Sequence, residues 1–94
     1  MPDSIKKSVR VVAFPEGDGW IAQCVEHDIC AQGRDLPAVQ RNMTAALVAE
    51  CDYTVAKGGE PFAGIDPAPS YFEAMFEEAE EAALQSEWNF RIAA

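Results

Sequence analysis

The chain has 94 residues, 49% of them hydrophobic, with 16 acidic against 7 basic side chains and a formal net charge of −9. That length suits one domain, and the apolar fraction is ample for a core, which argues against an intrinsically disordered chain. The acidic balance argues against direct contact with nucleic acid, because phosphate recognition needs clustered Lys and Arg; it favours a basic partner or plain solubility.

No apolar run approaches the roughly 20 residues of a membrane-spanning helix. The opening MPDSIKKSVR lacks the apolar segment of a signal peptide. Three cysteines form no paired framework, which fits a reducing cytoplasm. A domain of this size buries only about 60–65% of the surface its unfolded chain exposes, so assembly would help it.

In chain order, residues 1–7 are polar and expected to fray. Ser8 to Phe14 reads as a strand from its β-branched content, with Val9, Val11 and Ala13 on one face and Arg10, Val12 and Phe14 on the other. Pro15 to Gly19 is a turn by composition, giving a hairpin with a loop of about five residues. In the next strand Trp20, Ala22 and Cys24 share one face, and Ile21, Gln23 and Val25 share the other. Glu26-His27-Asp28 interrupts the pattern, Ile29 to Gln32 resumes it, and Gly33 ends it. The connector is too short for a helical crossover, so these strands form an antiparallel meander.

Asp35 is a good helix N-cap, and Pro37 is tolerated in a first turn. Leu36, Val39, Met43, Ala46 and Leu47 keep helical spacing, so the helix should run from 36 to about Ala56, where Gly58-Gly59 stops it. Residues 58–69 form a Gly- and Pro-rich loop, with Phe62 and Ile65 tacked onto the body. Ser70 opens a second helix, 70–84, with a capping box to Glu73. Phe72, Met75, Phe76, Ala79 and Ala83 form its apolar stripe; Glu73, Glu77, Glu78, Glu80 and Glu81 form an acidic one. Glu87 to Ile92 alternates again, with Trp88, Phe90 and Ile92 on one face, and predicts a final strand. The expected fold is a single α+β domain of order β-β-β-α-(α)-β: a small antiparallel meander plus a C-terminal strand, with the long helix on one face.

The run Phe14-Pro15-Glu16-Gly17-Asp18-Gly19-Trp20-Ile21-Ala22-Gln23-Cys24, a short charged break, Ile29-Cys30-Ala31-Gln32-Gly33, and Asp35-Leu36 leading with Val39 into a helix together resemble the HicB-like antitoxin family. The resemblance covers residues 8–56 and extends to the final strand at 87–93. It implies a partial RNase H-like β-β-β-α-β layer and a protein that sequesters a small, basic, RNA-cleaving toxin. Members often add a C-terminal DNA-binding domain. The chain in hand ends at Ala94, so the expectation is a single-domain form that does not bind DNA by itself, with the acidic helix 70–84 as an addition.

Several residues invite chemistry. Cys24-x-x-His27-x-x-Cys30 has spacing that could chelate zinc, with Asp28 or Cys51 as a fourth ligand, but structural zinc sites use paired Cys knuckles. A Cys–His nucleophile pair is possible between Cys24 or Cys30 and His27, yet no oxyanion or base-orienting motif accompanies it. Glu26, Asp28 and Asp52 are the carboxylates a two-metal nuclease would need, but the first strand carries none. The bland readings are small strand residues, a solvated loop and a helix end. No metal, no cofactor and no catalytic activity are therefore expected.

The functional expectation is an antitoxin-type binding module for a basic protein, with Glu73, Glu77, Glu80, Glu81 and Trp20 as the partner-binding candidates. The alternative is a small-ligand or metal binder, or an enzyme, using the Cys24/His27/Asp28 loop. Both faces of the first strand carry apolar residues, Val9 and Val11 on one and Val12 and Phe14 on the other, so the face that the long helix leaves open predicts a homo-oligomer, a dimer first of all, unless helix 70–84 covers that face.

Overall fold

Gly17 and Asp18 alone join the first two strands, β1 (Arg10–Glu16) and β2 (Gly19–Cys24). The expected five-residue loop is thus a two-residue turn. Gly17 has φ +59°, the positive value a type II′ hairpin requires of its first central residue. Pro15 stays in the ladder opposite Trp20. The amide of Val25 donates to the Arg10 carbonyl at 2.8 Å, and hydrogen-bonded pairs alternate along an antiparallel ladder, so the nitrogen of Pro15 faces away from β2.

The computed structural model describes residues 9–81 and 89–93. The expectations for residues 1–7, Ser8, Ala83 and Trp88 fall outside them. After the hairpin come β3 (Cys30–Gly33), α1 (Leu36–Ala56), α2 (Ser70–Glu78), the two-residue β4 (Glu80–Glu81) and β5 (Asn89–Ile92). The strand order is β3-β2-β1-β5-β4. The fold is α+β with a mixed sheet: the meander is antiparallel, and β5 lies parallel to β1, from Arg10 beside Asn89 to Ala13 beside Ile92. Among the described residues, no helix is long and apolar enough to cross a membrane.

Both predicted strand faces find partners. Val9, Val11, Ala13, Ala22 and Cys24 pack under Val39, Met43 and Leu47 of α1. The opposite face is covered by α2, where Val12 and Val25 meet Phe76, with Phe72 and Met75 alongside. Val12 has no exposed surface, and Phe14 stacks on Phe72 at 6.1 Å between ring centroids. The apolar face that motivated a dimer is therefore covered within the chain.

α1 begins and ends where its signals place it. The Asp35 carboxylate accepts the Ala38 amide at 2.9 Å, and Gly58, at φ +88°, lets the chain turn away. Gly33 permits the packing of the first turn: a Cβ there would lie 2.4 Å from the Val39 nitrogen. The 58–69 loop is tied down as expected. Phe62 is buried, and its amide donates to Thr54 Oγ1 at 2.8 Å.

α2 departs from expectation at both ends. Pro69 holds the N-cap position and Ser70 is already helical, so the capping box to Glu73 does not form. The helix stops at Glu78 rather than 84. Ala79 turns extended, and Glu80 and Glu81 pair with Ile92 and Arg91 of β5. Strand pairing overrides the local helical preference of this Glu- and Ala-rich stretch.

Candidate functional site

The residues that suggested metal or nucleophilic chemistry do not form a site. Cys24 is buried in the core beneath α1, and burial pushes its thiol up to about 11. Cys30 is exposed and pairs with Gln23, whose side chain lies on the other face of the sheet from Cys24. His27 stacks on Phe62, 4.6 Å between centroids, with Nδ1 3.5 Å from the Ile65 carbonyl oxygen. Asp28 accepts a hydrogen bond from the Gln23 amide at 3.0 Å. Among the described residues, no group of three or more His, Cys, Asp and Glu is arranged to hold a metal ion. The nuclease carboxylates are likewise scattered: Glu26 binds Arg10, and Asp52 is exposed on α1 across the sheet.

The charged architecture of the molecule gathers instead at α2. Arg10 projects from β1 on the Val12 face and pairs through Nε with Glu26, whose other carboxylate oxygen accepts the Arg10 amide at 2.8 Å. Its outer nitrogen reaches Glu73 at 3.4 Å and Glu77 at 3.5 Å. The hydrogen bond with Glu26, and the surrounding carboxylates after it, raise the Arg10 pKa and keep the guanidinium charged. Phe76, in the last turn of α2, meets two cations: the Arg10 guanidinium is 5.6 Å from its ring centroid and that of Arg91 is 4.4 Å. Arg91 also donates to the Phe76 carbonyl at 3.1 Å, capping the end of the helix.

The five partner-binding candidates are therefore not one surface. Glu73 and Glu77 face Arg10. Glu80 and Glu81 lie in β4, off the helix. Trp20 is half-buried on the α1 side of the sheet, where it borders a separate cleft of about 330 Å³ with Glu16, Ile21 and Gln32.

A groove of about 550 Å³ opens where α2 ends. It is lined by Phe14 from β1, Met75 from α2, Ala79 just past that helix, and Ile92 and Ala93 from β5 and beyond; the exposed Glu78 and Glu80 stand at its rim. Sequence reasoning missed it as a unit. Phe14 and Ile92 were each legible as strand residues, but only the parallel docking of β5 on β1 sets them near the end of α2.

No family model matches the chain, and no curated protein or solved structure matches it.

Proposed function

We propose that this chain is an antitoxin-type protein-binding module of the HicB-like kind, which holds a small basic protein in the cytoplasm and has no catalytic centre of its own. The observation that carries the reading is the groove at the end of α2: an apolar floor drawn from three elements, with carboxylates on its rim, in a chain of net charge −9. A concave apolar patch with a charged edge is the common form of a protein-binding site, the centre supplying affinity and the rim steering encounter. The order of the described elements supports the resemblance, since a β-β-β-α meander is followed by a strand that rejoins the sheet, with α2 and β4 as the added segment. The Cys24/His27/Asp28 alternative gains nothing from the geometry, because Cys24 is sealed in the core and His27 is stacked on Phe62. Self-association no longer has an uncovered Val12 face to drive it.

The test is co-expression with the product of an adjacent reading frame encoding a short basic protein. The expected outcome is a stable complex on size-exclusion chromatography, and relief of any growth arrest that the basic protein causes alone. A basic neighbour that neither co-elutes nor is neutralised would overturn the reading.

A further inference from the structure

We propose that the groove at the C-terminal end of α2 receives an apolar segment that carries an arginine, with the guanidinium held at the rim by Glu78 and Glu80. This rests on the protein-binding reading and names the chemistry that the site selects.

The size comes first. About 550 Å³ lies within the range of cavities that enclose a drug-sized ligand, so the groove has room for a few side chains and not for a whole domain. Its lining offers apolar side chains, one thioether among them, interspersed with polar surface.

The charge comes second. The C-terminal end of a helix carries partial negative charge and favours cations nearby. α2 has no basic residue in its last turn; it has Glu77 and Glu78 there, and Glu80 two residues on. Glu77 is reached by Arg10. Among the described residues, neither Glu78 nor Glu80 has an ion-pair partner. Two exposed carboxylates with no ion-pair partner among the described residues thus stand on the lip of the groove, just past a helix end at which Arg91 meets one carbonyl. A cation bound there would meet both the carboxylates and the helix end.

The kind of cation follows from what α2 already accepts. The Arg91 guanidinium lies over the Phe76 ring, 4.4 Å from its centroid, and donates to the Phe76 carbonyl. A guanidinium can fork across carboxylates and helix carbonyls while its plane stacks on apolar atoms; an ammonium acts as a hydrated point charge. The other occupants fit less well. A second copy of this chain brings net charge −9 to an acidic rim. A fatty acid would set its carboxylate against Glu78 and Glu80. A neutral apolar ligand would bury that rim without pairing it.

The experiment uses the full chain and a synthetic helical peptide with leucines on one face and arginines flanking it, beside two twins in which lysine or neutral citrulline replaces arginine. Binding is read by fluorescence anisotropy at about 0.15 M salt, where charges beyond roughly 8 Å are screened. Three variants are compared: Glu78→Gln with Glu80→Gln, which leaves the floor intact; Ala93→Phe, which fills the groove; and Asp52→Asn with Glu60→Gln, which removes the same charge elsewhere. The arginine peptide should bind. Its affinity should fall about tenfold in the rim variant and in Ala93→Phe, and less than about twofold in the distant control, as for a local charged contact. The lysine twin should bind several-fold more weakly than the arginine peptide, and the citrulline twin more weakly still.

Equal losses in the rim variant and the distant control would reduce the effect to bulk charge and overturn the proposal. So would an Ala93→Phe protein that melts normally and binds undiminished, an arginine peptide that does not bind, or equal affinity for the lysine twin. Repeating the co-expression with the rim variant separates the two readings. A basic partner captured equally well by Glu78→Gln with Glu80→Gln removes the groove but leaves the antitoxin-type function. Arginine-peptide binding with no capture of the basic neighbour does the reverse.

Discussion

The two faces of the sheet are built on different physics. Under α1 the contact is wholly apolar: Val9, Val11 and Ala13 meet Val39, Met43 and Leu47, all without exposed surface. Under α2 the buried group is small, Val12, Val25 and Phe76, and the attachment leans on charge: Arg10 to Glu26, and two guanidiniums about one aromatic ring. Apolar burial is non-directional and grows with area, so the α1 face can supply most of the stability of a small domain. Hydrogen-bonded ions fix position and add less. α2 is therefore held through its last turn, where Phe76 meets the two guanidiniums, and the groove opens just beyond that turn.

The comparison breaks most visibly at one large residue from each face. Leu47→Ala should cost about 3 kcal/mol of global stability, measured by urea denaturation, because it empties a fully buried site under α1. Phe76→Ala removes a larger side chain, yet its effect should be local. Opening of α2 requires only the free energy of that layer, not of the whole fold. Hydrogen exchange should therefore accelerate about a hundredfold across the amides of 70–78, and less than about threefold in the middle of 36–56. If Phe76→Ala weakens α1 as much as Leu47→Ala does, the two faces form one cooperative unit and the distinction fails.

This difference between the faces also explains what was legible beforehand. The α1 layer is written in local chemistry. Asp35 caps, Pro37 fits the first turn, Gly58 ends the helix, and Leu36 to Leu47 keep one stripe; these signals act within a few residues, so the bounds Leu36–Ala56 could be read directly. The strand faces followed from alternation, which is equally local. The α2 layer is written in distant chemistry. The helix ends at Glu78 because Glu80 and Glu81 pair with β5, and because Arg91 reaches back to the Phe76 carbonyl. Neither partner is near in sequence. The acidic run looked like one helical face because nothing between residues 70 and 90 opposes a helix, whereas Arg10, about sixty residues earlier, claims Glu73 and Glu77. For the same reason the groove could not be foreseen, since its floor joins Phe14 to Ile92 through a parallel pairing that alternation does not predict.

A smaller effect sharpens the account of the anchor. Arg10→Met keeps a long apolar stem over Phe76 and deletes the charge. Glu26 is then left partly buried without its guanidinium, and the loss should be about 1–2 kcal/mol. Glu26→Gln should cost less, and the double variant should cost less than the sum of the two, because the residues act as a pair. Additive losses, read from urea midpoints, would show that Arg10 and Glu26 stabilise α2 independently.

The smallest expected effect tests whether the outer carboxylates contribute to that anchor. The Glu73 and Glu77 side chains are 55% and 62% exposed, and each meets Arg10 at 3.4 and 3.5 Å respectively, so each contact should be worth no more than about 0.5 kcal/mol and should fade in high salt. The helix dipole then separates them. Glu73 lies in the first turn of α2, where negative charge is favourable, so Glu73→Gln loses both the contact and the dipole interaction. Glu77 lies in the last turn, where negative charge is unfavourable, so Glu77→Gln loses the contact but gains relief at the helix end. Thermal melts at low salt should show a small decrease for Glu73→Gln and almost none for Glu77→Gln, and both should approach zero near 0.5 M salt. A loss for Glu77→Gln as large as that for Arg10→Met would mean that the exposed carboxylates, rather than Glu26, hold Arg10 in place, and that α2 is fastened by a surface ionic latch instead of a half-buried pair.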